Sequence, residues 1–182
     1  MSTLTSNQEV LQTGPWEADP AHSRIEFAVD YLTGTFRGTF SPFAATLEVD
    51  GDGSAVLHGT TSAGSIHVQD ENLSAHLQSP DFFDAERTPE LAFESTRFVR
   101  EGERVEVDGT LTIKGVSQPV HLTGTIGEPL EDPYGRARFG LRLEGTIDRT
   151  AFGLDWNAPL PSGEPALAND VALTAELYLV RK

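Results

Sequence analysis

The 182-residue chain contains no cysteine, which removes disulfide frameworks, thiol nucleophiles and thiolate zinc sites together. Lysine is nearly absent as well, only Lys114 and Lys182 being present, and the 13 Lys and Arg against 28 Asp and Glu leave a formal charge of -15. A surface this acidic repels phosphate backbones and anionic lipid headgroups, so nucleic-acid binding and polybasic membrane docking are disfavoured. No apolar run approaches a membrane span, and Met1 to Gly14 has neither a basic start nor an apolar stretch. These absences predict no stable membrane insertion and a cytoplasmic location. Residues 1–13 read as a disordered polar tail, followed by a single domain over 14–182.

Catalytic signatures are missing too. There is no Gly-x-Ser-x-Gly nucleophile elbow, and no glycine loop opens a helix to cradle a phosphate. The five histidines, His22, His58, His67, His76 and His121, lack the close helical spacing of a zinc protease. The reading is a protein with no cofactor, no metal and no catalytic residues, and hence not an enzyme.

What is there is a period of two. Ile25, Phe27 and Val29 alternate with Arg24, Glu26 and Ala28. Val105, Val107, Gly109, Leu111 and Ile113 share one face, and so do Val120, Leu122, Gly124 and Ile126. Phe139, Leu141, Leu143, Gly145 and Ile147 repeat the pattern, as do Val171, Leu173, Ala175, Leu177 and Leu179. Such alternation means strands wet on one side and buried on the other. The turns agree: Asp50-Gly51-Asp52-Gly53, Glu101-Gly102-Glu103, Lys114-Gly115-Val116 and Asp132-Pro133-Tyr134-Gly135. Strands are predicted near 16–20, 24–32, 35–49, 55–68, 90–100, 104–114, 118–128, 136–148 and 170–181. The stretch from 70 to 84 departs from the pattern. Asp70-Glu71 opens it, Leu73 and Leu77 lie four apart as on a helix face, and Pro80 stops it before a further helical turn at Asp81-Phe82-Phe83-Asp84. Residues 151–169 read as a loop.

Many long antiparallel strands, one short helical segment and no α/β rhythm predict an all-β fold. The expected form is an extended, lipocalin-like up-and-down barrel of about eight strands. Such a barrel either fills its interior or holds a small ligand. Large inward residues (Phe27, Phe93, Phe139, Leu141) stand beside small ones (Gly109, Gly124, Gly145, Ala175). The glycines mark either close approach by another backbone or a ligand, or bends that let the sheet curl. Phe36, Phe40 and Phe43 line a mouth or form core, and Phe82 and Phe83 make a lid or a seal.

The order of motifs resembles the YceI-like family of lipocalin-like, polyisoprenoid-binding proteins. The matching pieces begin with Trp16-Glu17-Ala18-Asp19-Pro20-Ala21-His22-Ser23 and Thr35-Phe36-Arg37-Gly38-Thr39-Phe40. Asn72 to Asp84, Pro89, Phe93 and Leu111 to Val120 follow. The last are Asp132-Pro133-Tyr134-Gly135, Phe152-Gly153-Leu154-Asp155-Trp156-Asn157 and Asn169-Asp170-Val171. The resemblance implies a barrel whose tunnel takes a long isoprenoid or fatty-acyl chain, and homodimers. Two positions depart from the family pattern, Gln78 in the helical motif and Asp30-Tyr31 after the first long strand. Both remove polar groups from places where a headgroup would lie. On this reading Phe27, Phe93, Leu111, Leu122, Phe139, Leu141 and Leu173 line the tunnel. Phe36, Phe40, Phe82 and Phe83 shape one end, and Arg37 and His76 supply polar contacts. The competing readings are an interaction module with a filled core and an enzyme acting on a lipid held in the tunnel.

Overall fold

A computed structural model describes residues 11–182. The alternating segments form β1 (Gly14–Ala18), β2 (Arg24–Tyr31), β3 (Gly34–Phe40), β4 (Phe43–Val49), β5 (Ala55–Ser62) and β6 (Ile66–His67). Helix α1 (Glu71–Gln78) follows. Then come β7 (Glu90–Glu101), β8 (Arg104–Ile113), β9 (Val116–Ile126), β10 (Leu130–Glu131), β11 (Ala137–Asp148) and β12 (Leu167–Arg181). Two predicted strands are broken rather than continuous. The 35–49 segment divides at Ser41-Pro42, where proline has no N–H for the ladder. The 55–68 segment divides at a 3-10 turn, Ala63–Ser65.

With each broken course counted once (β1 with β2, β3 with β4, β5 with β6) and the two-residue β10, which pairs with β11, left aside, eight strands close into an antiparallel up-and-down barrel. Closure falls on β12. One side of it is zipped to β11 from Arg138↔Val180 to Asp148↔Asp170. Its other side is shared between β2, which takes Val171 to Glu176, and β1, which takes Leu179 to Arg181. The β8–β9 hairpin turns on Lys114 and Gly115, both left-handed at φ 54° and 73°, the backbone that a two-residue hairpin turn demands. At Thr96 the β7–β8 ladder slips, and on the other side of β7 the Ser95 hydroxyl accepts the buried N–H of Leu57 on β5 at 2.8 Å.

α1 is shorter than the 70–84 segment predicts. Asp70 caps its start by accepting the Leu73 N–H at 3.0 Å. The helix ends at Gln78, and Asp81–Asp84 forms turns instead of more helix, with Phe83 N bonded to Leu77 O and Asp84 N to Ser79 O. Of the predicted polar tail, 1–13, the structure describes residues 11–13. Residues 1–10 lie outside the described residues, but Leu11 is buried, and the Gln12 carbonyl accepts the Trp16 indole N–H at 3.0 Å.

The interior has two tiers. At one end Trp16, Leu47, Val105, Val107, Ile126, Leu141, Leu143 and Leu179 are almost wholly inaccessible, and Trp16 meets the Phe139 ring edge-on at 4.7 Å. This end is a solid plug. The other end is lined by a second apolar cluster around Phe27, Phe40, Leu77, Phe82, Val120, Phe152 and Val171. The inward glycines serve close packing and do not face open space. A Cβ on Gly109 would lie 2.5 Å from the Phe93 ring, and one on Gly124 would overlap the Arg142 carbonyl. Substituting Gly124→Ala is therefore expected to force β9 and β11 apart. The expected loss is about 1–3 kcal/mol, read from urea unfolding midpoints.

A polar clasp fastens the outside of the plugged end. Arg138 donates from Nη1 to Asp19 at 2.8 Å and from Nε to Asp132. Asp19 also accepts from His22 and from Ala21 N, and Asp132 accepts from Arg136 N and Tyr134 N. The hydrogen bond from His22, then that from Arg138, holds the Asp19 carboxyl far below its ordinary value. The Arg136 N–H, then Arg138, brings Asp132 down to about 2. A depressed carboxyl contributes stability above its unfolded pKa and loses it as pH falls through the folded one. The unfolding midpoint should accordingly drop between about pH 4 and pH 2. Arg138→Met should flatten that part of the profile in thermal melts taken across the range.

Candidate ligand-binding cavity

Above the plug the barrel is hollow, with a cavity of about 490 Å³. Its walls follow from strand parity. β2 sends in Ile25, Phe27, Val29 and Tyr31, and β12 sends in Val171, Leu173, Ala175 and Leu177. β8 supplies Leu111 and Ile113, β9 Val120 and Leu122, and β11 Leu143 and Ile147. Ala45, Leu57, Leu143 and Leu177 belong both to the cavity wall and to the plug, so the packed tier is the floor.

The opposite end is closed by elements that are not strands. α1 lays Leu73, His76 and Leu77 over the barrel, and Phe82 and Phe83 follow from the turn after it. Phe83 stands edge-on to Phe40 at 5.8 Å, and Phe40 in turn packs on Phe27. From the other side comes the segment after β11. Asp148 caps a 3-10 turn, Arg149–Phe152, by accepting Thr150 N, and Gly153 at φ 79° ends it. Leu154 and Trp156 then enter the cavity wall. His76 lies between two rings, edge-on to Trp156 at 4.8 Å and to Phe82 at 5.1 Å. Its Nε2 meets Asp81 Oδ2 at 3.0 Å.

Among the described residues Arg149 is the one cationic side chain of the wall with a fixed charge, and it is buried. Its guanidinium donates to the carbonyls of Ala168 (2.8 Å), Leu154 (2.5 Å), Trp156 (2.9 Å) and Leu167 (3.5 Å). Burial pushes its pKa below the ordinary arginine value. Asn157 assists, accepting Leu167 N at 3.0 Å and donating to Leu167 O at 2.7 Å. Together they pin the loop 153–166 and the start of β12 across the barrel end. No group of His, Asp or Glu able to hold a metal is found among the described residues.

Ten of the thirteen predicted site residues meet at this cavity: Phe27, Phe36, Phe40, His76, Phe82, Phe83, Phe93, Leu111, Leu122 and Leu173. Three lie elsewhere. Phe139 and Leu141 point inward as their parity requires, but at the depth of the plug, where they pack on Trp16 and its neighbours. Arg37 stands on β3 one residue out of phase with Phe36 and Phe40, so it faces solvent and pairs with Glu26 at 3.6 Å. Sequence reading missed Arg149, Leu154 and Trp156, because they lie outside any alternating run. The available signal was the family motif Phe152 to Asn157, which holds Leu154 and Trp156, with Arg149 three residues before it. Ile25, Val29, Ile113, Val120, Ile147 and Val171 were legible from the parity of their strands.

Similar proteins share this architecture. A UPF0312 protein of Staphylococcus aureus (strain N315) is 32% identical over 164 residues, 86% of this chain and 92% of its own. Among solved structures, BcnA of Burkholderia cenocepacia superposes with a TM-score of 0.74 at 22% identity, covering 91% of this chain and 99% of its own. A polyisoprenoid-binding domain from Saccharophagus degradans, implicated in plant cell wall breakdown, gives 0.68 at 11% identity over 94% of this chain and 100% of its own. The model of the YceI-like domain matches residues 16–179, from the tryptophan of the plug to the last turn of the closing strand, and the chain belongs to the YceI-like family.

Proposed function

We propose that this protein holds a long-chain apolar lipid, of isoprenoid or fatty-acyl type, inside its barrel and acts as a carrier or sequestering protein. The observation that carries this reading is a hollow with a packed floor and an almost wholly hydrocarbon wall. Its volume falls within the range of small-molecule sites, about 300–1,000 Å³. At about 30 Å³ per water-sized group, 490 Å³ accepts on the order of sixteen such groups, the bulk of a C15–C20 chain.

The energetics favour occupancy. An apolar hollow gains nothing from water. At roughly 24 cal/mol per Å³ of unfilled space, 490 Å³ forgoes on the order of 10 kcal/mol of packing. Each methylene that enters contributes about 0.8 kcal/mol, and lost motion and chain ordering offset part of this. The likeness in fold to the Saccharophagus degradans polyisoprenoid-binding domain supports the same ligand class.

Two features speak for binding over catalysis. The His76–Asp81 pair resembles part of a hydrolytic triad, but among the described residues no Ser or Thr hydroxyl is bonded to the ring. Arg149 is occupied by backbone carbonyls. No described helix is long and apolar enough to cross a membrane.

Native mass spectrometry of gently purified protein should show a bound lipid. Adding a C20 isoprenoid or palmitate to stripped protein at a hundredfold excess over Kd should raise the unfolding free energy by about 2.7 kcal/mol. That corresponds to roughly 5–10 °C in a domain of this size. Leu111→Trp, which places an indole in the hollow, should abolish that shift. A rigorously apo protein whose melting is indifferent to every long-chain lipid tried would refute the reading.

A further inference from the structure

The lipid-holding reading leaves open which end group the ligand carries, and the few polar atoms of the wall answer this. Of the 13 Lys and Arg, Arg149 alone is on the cavity wall among the described residues, and residues 1–10 contain neither type. Its hydrogen bonds to four carbonyls engage Nε, both Nη1 protons and Nη2. A guanidinium has five N–H groups, so no two-pronged fork is left for a phosphate or carboxylate. Asp148 and Asp155 act on the same guanidinium electrostatically, and Asp81 stands beside His76. On the wall an anionic head would meet carboxylates and no free cation among the described residues, and Lys114, outside the wall, already donates to the carbonyls of Pro80 and Gly153.

His76 has one nitrogen to offer. A carboxylate only accepts, so the contact from Nε2 to Asp81 places the proton of a neutral imidazole on Nε2 and makes Nδ1 an acceptor. No partner of Nδ1 is found among the described residues, and none of their buried side-chain nitrogens or oxygens lacks a partner, so Nδ1 is accessible to a small polar group. The ring itself is held edge-on between Phe82 and Trp156 on the cavity wall. The remaining titratable groups of the wall, Tyr31 and His58, belong to exposed residues. We propose that the cavity selects an uncharged, hydroxyl-terminated long chain, a prenol or fatty alcohol, whose O–H donates to His76 Nδ1.

The test compares three C20 ligands with the same tail on the full-length, delipidated protein at pH 8: geranylgeraniol, its methyl ether and geranylgeranyl diphosphate, with calorimetry or Trp fluorescence as readout. The alcohol should bind about tenfold tighter than the ether, which cannot donate. It should bind on the order of a hundredfold tighter than the diphosphate. His76→Phe should bring the alcohol-to-ether ratio near unity. Asp81→Ala, whose exposed side chain bonds, among the described residues, to His76 alone, should lower that ratio part of the way by freeing the ring's orientation and tautomer, an effect that a merely structural carboxylate would not have. A diphosphate that binds as tightly as the alcohol overturns the proposal while leaving the lipid-holding reading intact. So does a wild-type alcohol-to-ether ratio near one, or a ratio that survives both substitutions. If none of the three ligands binds, the lipid-holding reading itself falls.

Discussion

One strand has to satisfy three neighbours for this barrel to exist. β12 runs fifteen residues, Leu167 to Arg181, with β11 along one side and β2 and β1 end to end along the other. Were β1 and β2 continuous, they would follow the same twist as β12. The interruption at Asp19–Ser23 lets the two pieces take different angles, so the plugged end can be tight while the cavity end stays wide. Asp19 within that interruption is tied through Arg138 to Asp132 in the turn between β10 and β11. The break is thereby fixed in place, and a closed sheet leaves fewer edges for unwanted pairing.

The same strands build both tiers, so the difference between solid and hollow comes from side-chain volume and from depth along the axis. Along β11 the inward positions read Phe139, Leu141, Leu143 and Ile147, and they pass from the plug through the floor to the cavity wall. At the plug a tryptophan and a phenylalanine fill the tube. At the cavity end the inward Ile, Val, Leu and Phe side chains line the wall around an open hollow. Gly124 belongs to neither function. It lets the backbone of β11 come against β9 more closely than any side chain would allow.

This explains what was legible beforehand. A period of two identifies which face of a strand is buried, and it gave the barrel, its strand number and the parity of most of the wall. It carries no information on depth, and for that reason Phe139 and Leu141 read like Leu111 and Leu173 although they lie in different tiers. Arg37 illustrates the converse. Its motif drew attention to it, while its parity, opposite to Phe36 and Phe40, already placed it outside. Trp156 and Arg149 escaped because irregular backbone has no period to read, and only tertiary structure brings their loop to the barrel end.

Irregular backbone at the mouth of an apolar hollow raises a problem that regular strands do not have. Its carbonyls face a low-dielectric region without a neighbouring ladder to satisfy them, and each one left unpaired costs free energy comparable to a lost hydrogen bond. Arg149 meets this need for Leu154, Trp156, Leu167 and Ala168 at once. In return the four carbonyl dipoles stabilise a buried charge that has no carboxylate bonded to it. A cation recruited in this way is structural before it is anything else. The loop it anchors carries Trp156, which packs on His76, and His76 in turn borrows its orientation from Asp81. Positive charge at the cavity end is thus consumed in holding the wall together. What is left on the wall is mostly hydrocarbon with few polar groups, among them Thr60, Thr61, Thr174 and His76, and a binding site of that composition would rank its ligands by tail length first and by end group second.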